Sequence, residues 1–310
     1  MNAVLPALVL VPVAAALLVA MCSRSSGRVA DAIGNAGAFA VLGLVIGLTG
    51  PVLSGSSAAW SLGGASPLGI DLAADAFSVL MLLVISIGSV AAAVYSISYM
   101  EKYTSKAKYY MLFLLMVAGM NMVVLGADLI NMYIGIEIAA LSCYALVGYG
   151  LGREYLEASY RYQVLGTVGT LCLVAGIGVL YGRVGTVQFS GLVSSGLGNV
   201  TGIEVPAILI LSGLALKAAF MPYHAWLADA HSTAPSPVSA MLSGVFVKVV
   251  GAYGLFRLLF VIFVPGGILA NVLLAIAALS IVAGALLALA QMDMKRLLAY
   301  HTISQMGYVL

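Results

Sequence analysis

The chain has 310 residues, of which 63% are hydrophobic and 8% charged, and its net charge is +2. Its mean hydropathy is +1.13. Soluble domains carry about a quarter charged residues, so composition excludes an ordinary soluble protein, and so small a net charge gives no reason to expect nucleic acid.

In chain order the apolar runs predict ten spans: 3–22, 30–50, 76–99, 109–127, 129–150, 161–182, 205–228, 236–260, 268–290 and 295 onward. Residues 76–100, 109–127, 162–182 and 258–292 contain no charged residue, and a spanning helix needs about 20 such residues. The first run, "MNAVLPALVLVPVAAALLVAMCSRSSGR", resembles a signal peptide but lacks a basic start and a small-x-small cleavage site, so it is read as the first span. Cys22, Cys143 and Cys172 fall in spans without metal spacing and read as small packing residues.

Orientation follows from the basic residues. With the N-terminus outside, the cytoplasmic loops hold Arg24, Arg28, Lys102, Lys106, Lys108, Arg153, Arg161, Lys295 and Arg296, whereas the outer segments hold only Arg183 and Arg257. This is the positive-inside arrangement. The Gly/Ser/Pro-rich loop 51–75 and the loop 184–204 suit the outer side. The expectation is a multi-pass protein of the inner (plasma) membrane. The sequence stops at "HTISQMGYVL", a few turns into an apolar helix. Free backbone groups cannot end in hydrocarbon, so either the last helix is short and capped by a partner, or the chain is a fragment.

Three charges fall inside the spans. Glu137, in "NMYIGIEIAALSCYALVG", and Lys217 and Lys248 lie roughly 12–18 Å into their spans at ~1.5 Å per residue, near the midplane of a ~30 Å core. Each costs at least ~2.5 kcal/mol to insert and is a functional candidate by default; a structural ion pair is the plainer alternative. One acid cannot neutralise two lysines. Unit charges ~7 Å apart at an effective dielectric of ~20 interact by ~2.4 kcal/mol. A lysine balanced between desolvation and such a carboxylate can lose or regain a proton when its partner moves.

Pro222 follows Lys217 by five residues in the same span. A proline there removes a helical hydrogen bond and clashes with the carbonyl of residue 218. Broken helices at membrane depth occur where they are buried in protein or line a hydrated cavity; an ordinary proline kink is the alternative. His224 and His231 are seven apart, with Asp229 between them. A zinc site there lacks an HExxH pattern and a fourth ligand. A proton-relay role suits imidazoles better, a satisfied structural histidine being the plainer reading, and Asp229 could be a loop charge. In "HSTAPSP", Ser and Thr are expected to cap the next helix and the prolines to start it. His301, in "AYHTISQMG", lies in the last span and reads as a packing residue or a further titratable group.

"KAAFMPYHAWLADAHSTAPSPVSAMLSGVFVKVVGAYGLFR" and "DMKRLLAYHTISQMGYV", with "GIEIAALSCYALVGYG", resemble the signatures of the antiporter-like subunits shared by respiratory complex I, Mrp cation/proton antiporters and membrane-bound (energy-converting) hydrogenases. The likeness covers most of residues 110–310, and "HSTAPSPVSAMLSG" is closer to the hydrogenase and Mrp branches. It implies an all-α polytopic membrane fold with fourteen helices and two inverted five-helix repeats, each with a broken helix. By this resemblance Glu137 is the glutamate of the fifth helix, Lys217 the lysine of the broken seventh and Lys248 the connecting lysine of the eighth; His224, Asp229 and His231 match the polar stretch after the break, and Pro222 marks the break. Residues 1–108 then form an N-terminal three-helix segment, 109–260 the first repeat, and 261–310 the start of a second repeat that is nearly all missing. That departure puts translocation by this chain alone in question.

The implied function is translocation of protons or sodium ions through a midplane Glu–Lys–Lys relay, as one subunit of a redox-driven complex of the NADH dehydrogenase or hydrogenase kind. Partners would be other membrane subunits and the lipid bilayer. The chain carries no Cys cluster, haem motif or nucleotide loop, so no cofactor or redox centre is expected in it. The alternatives are a subunit of an Mrp-type antiporter, a non-transporting membrane scaffold, and, more distantly, an intramembrane metalloenzyme.

Overall fold

A computed structural model describes residues 3–22, 27–56, 58–63, 69–103, 105–150, 152–196, 200–263 and 266–310. Arg24 and parts of the two expected outer loops (57, 64–68 and 197–199) lie outside the described residues.

The chain is a bundle of helices that run back and forth in sequence order: α1 (Val4–Met21), α2 (Gly27–Leu53), α3 (Ala76–Tyr99), α4 (Lys106–Leu125), α5 (Leu129–Val147), α6 (Arg153–Val184), short α7 (Phe189–Ser194), α8 (Glu204–Lys217), α9 (Ala225–Thr233), α10 (Ser236–Met241), α11 (Gly254–Val261), α12 (Gly267–Leu289) and α13 (Met294–Val309). A π-helical stretch, Leu242–Tyr253, joins α10 to α11 in one rod. Among the described residues, eight helices are long and apolar enough to cross a membrane, which makes this a multi-pass membrane protein. They match the expected spans except at 205–228, which is two pieces, and at α13, which has 16 residues. The two pieces have 14 and 9 residues, together ~35 Å at 1.5 Å per residue, so they cross a ~30 Å core only as a pair.

α4 lies at the centre and is buried on nearly every face. With lipid and protein interior equally apolar, small residues decide which helices approach closely. A Cβ on Gly119 would lie 2.4 Å from the Ala139 amide of α5, and one on Gly213 would lie 2.5 Å from the Gly169 carbonyl of α6. These contacts pack α4 on α5 and α8 on α6, while α12 pairs with α13 at the edge of the bundle.

The segment 51–75 reads from its composition as an outer loop. It forms an antiparallel hairpin of β1 (Ala58–Leu62) and β2 (Ile70–Ala74), with Trp60 opposite Leu72. Leu72 bridges to Gly126, and Asp128 bridges to Gln188. The Ala127 amide donates to Asp71 O at 2.9 Å, and the Phe189 amide donates to Ala127 O at 3.1 Å. A loop that returns over helix ends still has to satisfy its backbone groups, and the neighbouring connections supply the partners. On the opposite end of the bundle, where α2, α4, α6 and α13 begin, Lys106 pairs with Asp31 at 2.7 Å.

Candidate functional site

α8 ends at Lys217, four residues before the Met221–Pro222 bond. The backbone turns away at Ala219, whose φ is +56°. The sequence reading put the disruption at the carbonyl of residue 218; in the structure the helix has already ended there, so the break is a stop and a restart, with no kinked continuous helix. The freed backbone groups find partners nearby. The Phe220 amide reaches back to Ala215 O at 3.2 Å. The Met221 amide donates to Ser280 Oγ on α12 at 3.0 Å. The Trp226 indole donates to Leu216 O at 3.0 Å. Unpaired backbone groups cost too much in a membrane to persist, and two side chains from the surrounding protein take the place of water.

Lys217 closes α8 with a side chain only 1% exposed. Its ammonium donates to the Tyr144 hydroxyl of α5 at 2.9 Å. Among the described residues no carboxylate lies within 4.0 Å of it. Glu137 sits two turns earlier on α5, and its Oε1 is buried without a partner. Glu137 and Lys217 therefore do not touch, and Tyr144 holds the lysine.

Lys248 lies in the π-helical stretch, half-buried, and its ammonium donates to Ser243 O five residues back. Gly251 of this stretch packs hard against the break, where a Cβ would lie 2.4 Å from Ala218 Cα. The two lysines thus sit on adjoining elements.

The polar residues after the break divide. His224 precedes α9, and its Nδ1 is 3.2 Å from Pro222 O. His231 is 3% exposed. Its carbonyl accepts from Ser239 Oγ of α10 at 2.8 Å, and its Nδ1 lies 2.9 Å from the same oxygen. A hydroxyl that donates to the carbonyl must accept from the ring, so Nδ1 carries the hydrogen and Nε2 is the free acceptor of the neutral imidazole. The two imidazoles are not joined by a hydrogen bond. Asp229 is neither a free acid nor an idle loop charge: Arg161 of α6 and Arg296 of α13 bind its two oxygens at 3.0 and 2.7 Å. Ser232 and Thr233 do not cap α10; both donate back to Asp229 O, and Ser236 donates to the Tyr99 hydroxyl at 3.0 Å. His301 is exposed on α13. Among the described residues no group of three His, Cys, Asp or Glu side chains could hold a metal ion.

Sequence reasoning missed Tyr144, Tyr162, Trp226, Ser280 and Gly251. Tyr162 stands edge-on to Tyr144 at 4.4 Å and stacks on Trp226 at 4.2 Å. A buried aromatic in an apolar span gives no sequence signal; its hydroxyl or indole N–H acquires meaning only beside a broken helix.

A multi-pass helical bundle with a buried lysine at the end of an interrupted helix is the class that this fold and site define. Residues 126–310 match the family described as NADH:quinone oxidoreductase/Mrp antiporter, transmembrane, and residues 60–110 match NADH-ubiquinone oxidoreductase (complex I), chain 5 N-terminus. The chain belongs to this family. It is 34% identical to NADH-quinone oxidoreductase subunit N of Desulforudis audaxviator over 78% of its own length and 50% of that protein's. It is 30% identical to a Na(+)/H(+) antiporter subunit of Alkalihalophilus pseudofirmus over 79% and 50%. The chain spans about half the length of these curated relatives. Among solved structures it resembles a chain of the membrane-bound sulfane sulfur reductase, an archaeal respiratory membrane complex, with TM-score 0.92 and 31% identity over 98% of this chain and 63% of that one. A chain of the Mrp complex from Dietzia sp. gives TM-score 0.88 and 28% identity, covering 99% and 58%.

Proposed function

We propose that this chain moves protons or sodium ions across the plasma membrane as one subunit of a multisubunit, redox-driven complex related to complex I or membrane-bound hydrogenase. In this reading residues 109–260 act as one half-channel, the N-terminus lies outside, and charge passes among Glu137, Lys217 and Lys248. The observation that carries it is the Lys217 site itself. An ammonium 1% exposed has a neutral phenol as its partner, at the end of a broken helix, while a carboxylate oxygen on the neighbouring helix has none. A structural ion pair would have closed that gap; a site that must exchange protons has reason to leave it open.

The test is Lys217→Ala in the complete complex, reconstituted in vesicles. Ion movement should be lost while the subunits still assemble. Normal transport in an assembled variant overturns the assignment, and loss of assembly alone favours a scaffold. A second reading, a subunit of an Mrp-type antiporter, is supported by the likeness to the Alkalihalophilus antiporter protein and to the Mrp complex. Transport driven by an imposed ion gradient, with no electron donor, distinguishes it.

A further inference from the structure

We infer that Tyr144 is a positioning residue for this transport: its phenol oxygen is the resting partner of the Lys217 ammonium and holds it short of Glu137. The inference rests on the proposed role of Lys217.

The hydroxyl sits in a space made for it. A Cβ on Gly166 of α6 would lie 2.0 Å from Tyr144 Oη, so any larger residue there displaces the phenol. Its ring is held in turn by Tyr162, edge-on at 4.4 Å. Tyr162 lies flat on Trp226, 4.2 Å away with an interplanar angle of 4°. The Trp226 indole returns to Leu216 O, the carbonyl next to Lys217. The contacts therefore run from Lys217 through three aromatic rings and back to its own backbone, and fix the phenol relative to the end of α8.

Tyr144 follows Glu137 by seven residues on α5, about 10.5 Å along the axis. Helical side chains lean toward the N-terminus, so both groups lean the same way along α5, on one face of it. The lining has spare hydrogen-bonding capacity, because Tyr162 Oη and Glu137 Oε1 are both buried without partners. A neutral oxygen holds an ammonium more loosely than a carboxylate does. Lys217 can thus exchange the phenol for Glu137 by moving its flexible stem, with no helix movement.

The experiment replaces Tyr144 in the complete complex and reads transport against pH. Because the phenol oxygen accepts from the charged lysine, a poorer acceptor lets Lys217 give up its proton at lower pH. Tyr144→Phe keeps the ring stack; transport should fall about tenfold and its alkaline limb should move acidward by about one pH unit, the equivalent of a tenfold change. Gly166→Ala, which displaces the phenol without removing a polar group, should give the same shift. Fluorotyrosines at position 144 that stay protonated over the range read keep the ring and weaken the acceptor, and should move the limb acidward. An unmoved pH profile across the fluorotyrosine series, or a Tyr144→Phe variant with full transport, overturns the proposal while leaving Lys217→Ala to judge the transport reading separately. A lower rate with an unmoved profile means that Tyr144 only packs, and overturns it equally.

Discussion

Two adjoining helices carry Lys217 and Lys248, and they satisfy polar backbone in opposite ways. Around Lys217 the helix stops, and the freed groups are taken up by side chains from elsewhere in the bundle, Ser280 and Trp226. Around Lys248 the helix continues but widens into twelve residues of π turn, and the lysine turns to the carbonyl of Ser243 on its own rod. Both answer the same constraint, that backbone groups at membrane depth need partners. The first ties the lysine to distant helices and the second keeps it local. A lysine held by other elements responds to their movement; one held by its own helix is insulated from it.

The contrast can be attacked first where the two elements meet. Gly251→Ala places a methyl 2.4 Å from Ala218 Cα, against backbone that cannot swing aside. Overpacking of this kind costs about 1–3 kcal/mol, and thermal unfolding in detergent should show the largest loss of any variant here. Ser280→Ala comes next, since it leaves the buried Met221 amide unpaired, at a cost of about 1–3 kcal/mol. It should also raise hydrogen exchange at residues 218–223; unchanged exchange there means that the break is not held from α12.

At the hairpin end, the rod that carries Lys248 is anchored by a fork from Arg257 to Asp75, two contacts of 2.6 Å each. Asp75, which caps α3, is partly desolvated, which pushes its carboxyl up, but hydrogen bonds from Arg257 and Ser78 outweigh this and hold it down at about 2. A depressed carboxylate stabilises the fold above its ordinary range near 4 and loses that contribution as pH falls from about 4 toward 2. Arg257→Gln should flatten this acid-limb dependence and lower stability at neutral pH, where the contribution is fully present, while the Ser78 hydrogen bonds keep part of it. The smallest effect is expected of Ser243→Ala, within about 0.5 kcal/mol, because Lys248 uses the carbonyl and not the hydroxyl. A large loss of transport there would overturn the local account of Lys248.

Much of this arrangement was legible in the sequence, and the reasons differ by element. Span positions followed from long charge-free runs, and Lys217, Lys248 and Glu137 stood out because ionisable groups are rare in such runs. Pro222 located the break to within a few residues. The partners were not legible. Tyr144 lies 73 residues from Lys217, and helices surrounded by lipid show no polar face to indicate which side turns inward. Asp229 was readable as a charge but not as the shared anchor of two arginines on α6 and α13. The π winding has no composition of its own, and the hairpin at 58–74 was hidden by glycine and serine that read as loop.

The plate of backbone bonds over the hairpin end has a mechanical corollary. The α4–α5 junction is stitched on one side to β2 and on the other to residues 187–189, so these helix ends cannot slide past one another. α5 is thus pinned at Asp128. Glu137 lies partway along it and Tyr144 nearer the other end, where Ser159 Oγ donates to Tyr144 O and Tyr149 donates to Ser105 O. Both ends of α5 are therefore held, and the flexible stem of Lys217 is the part of the site left free to move.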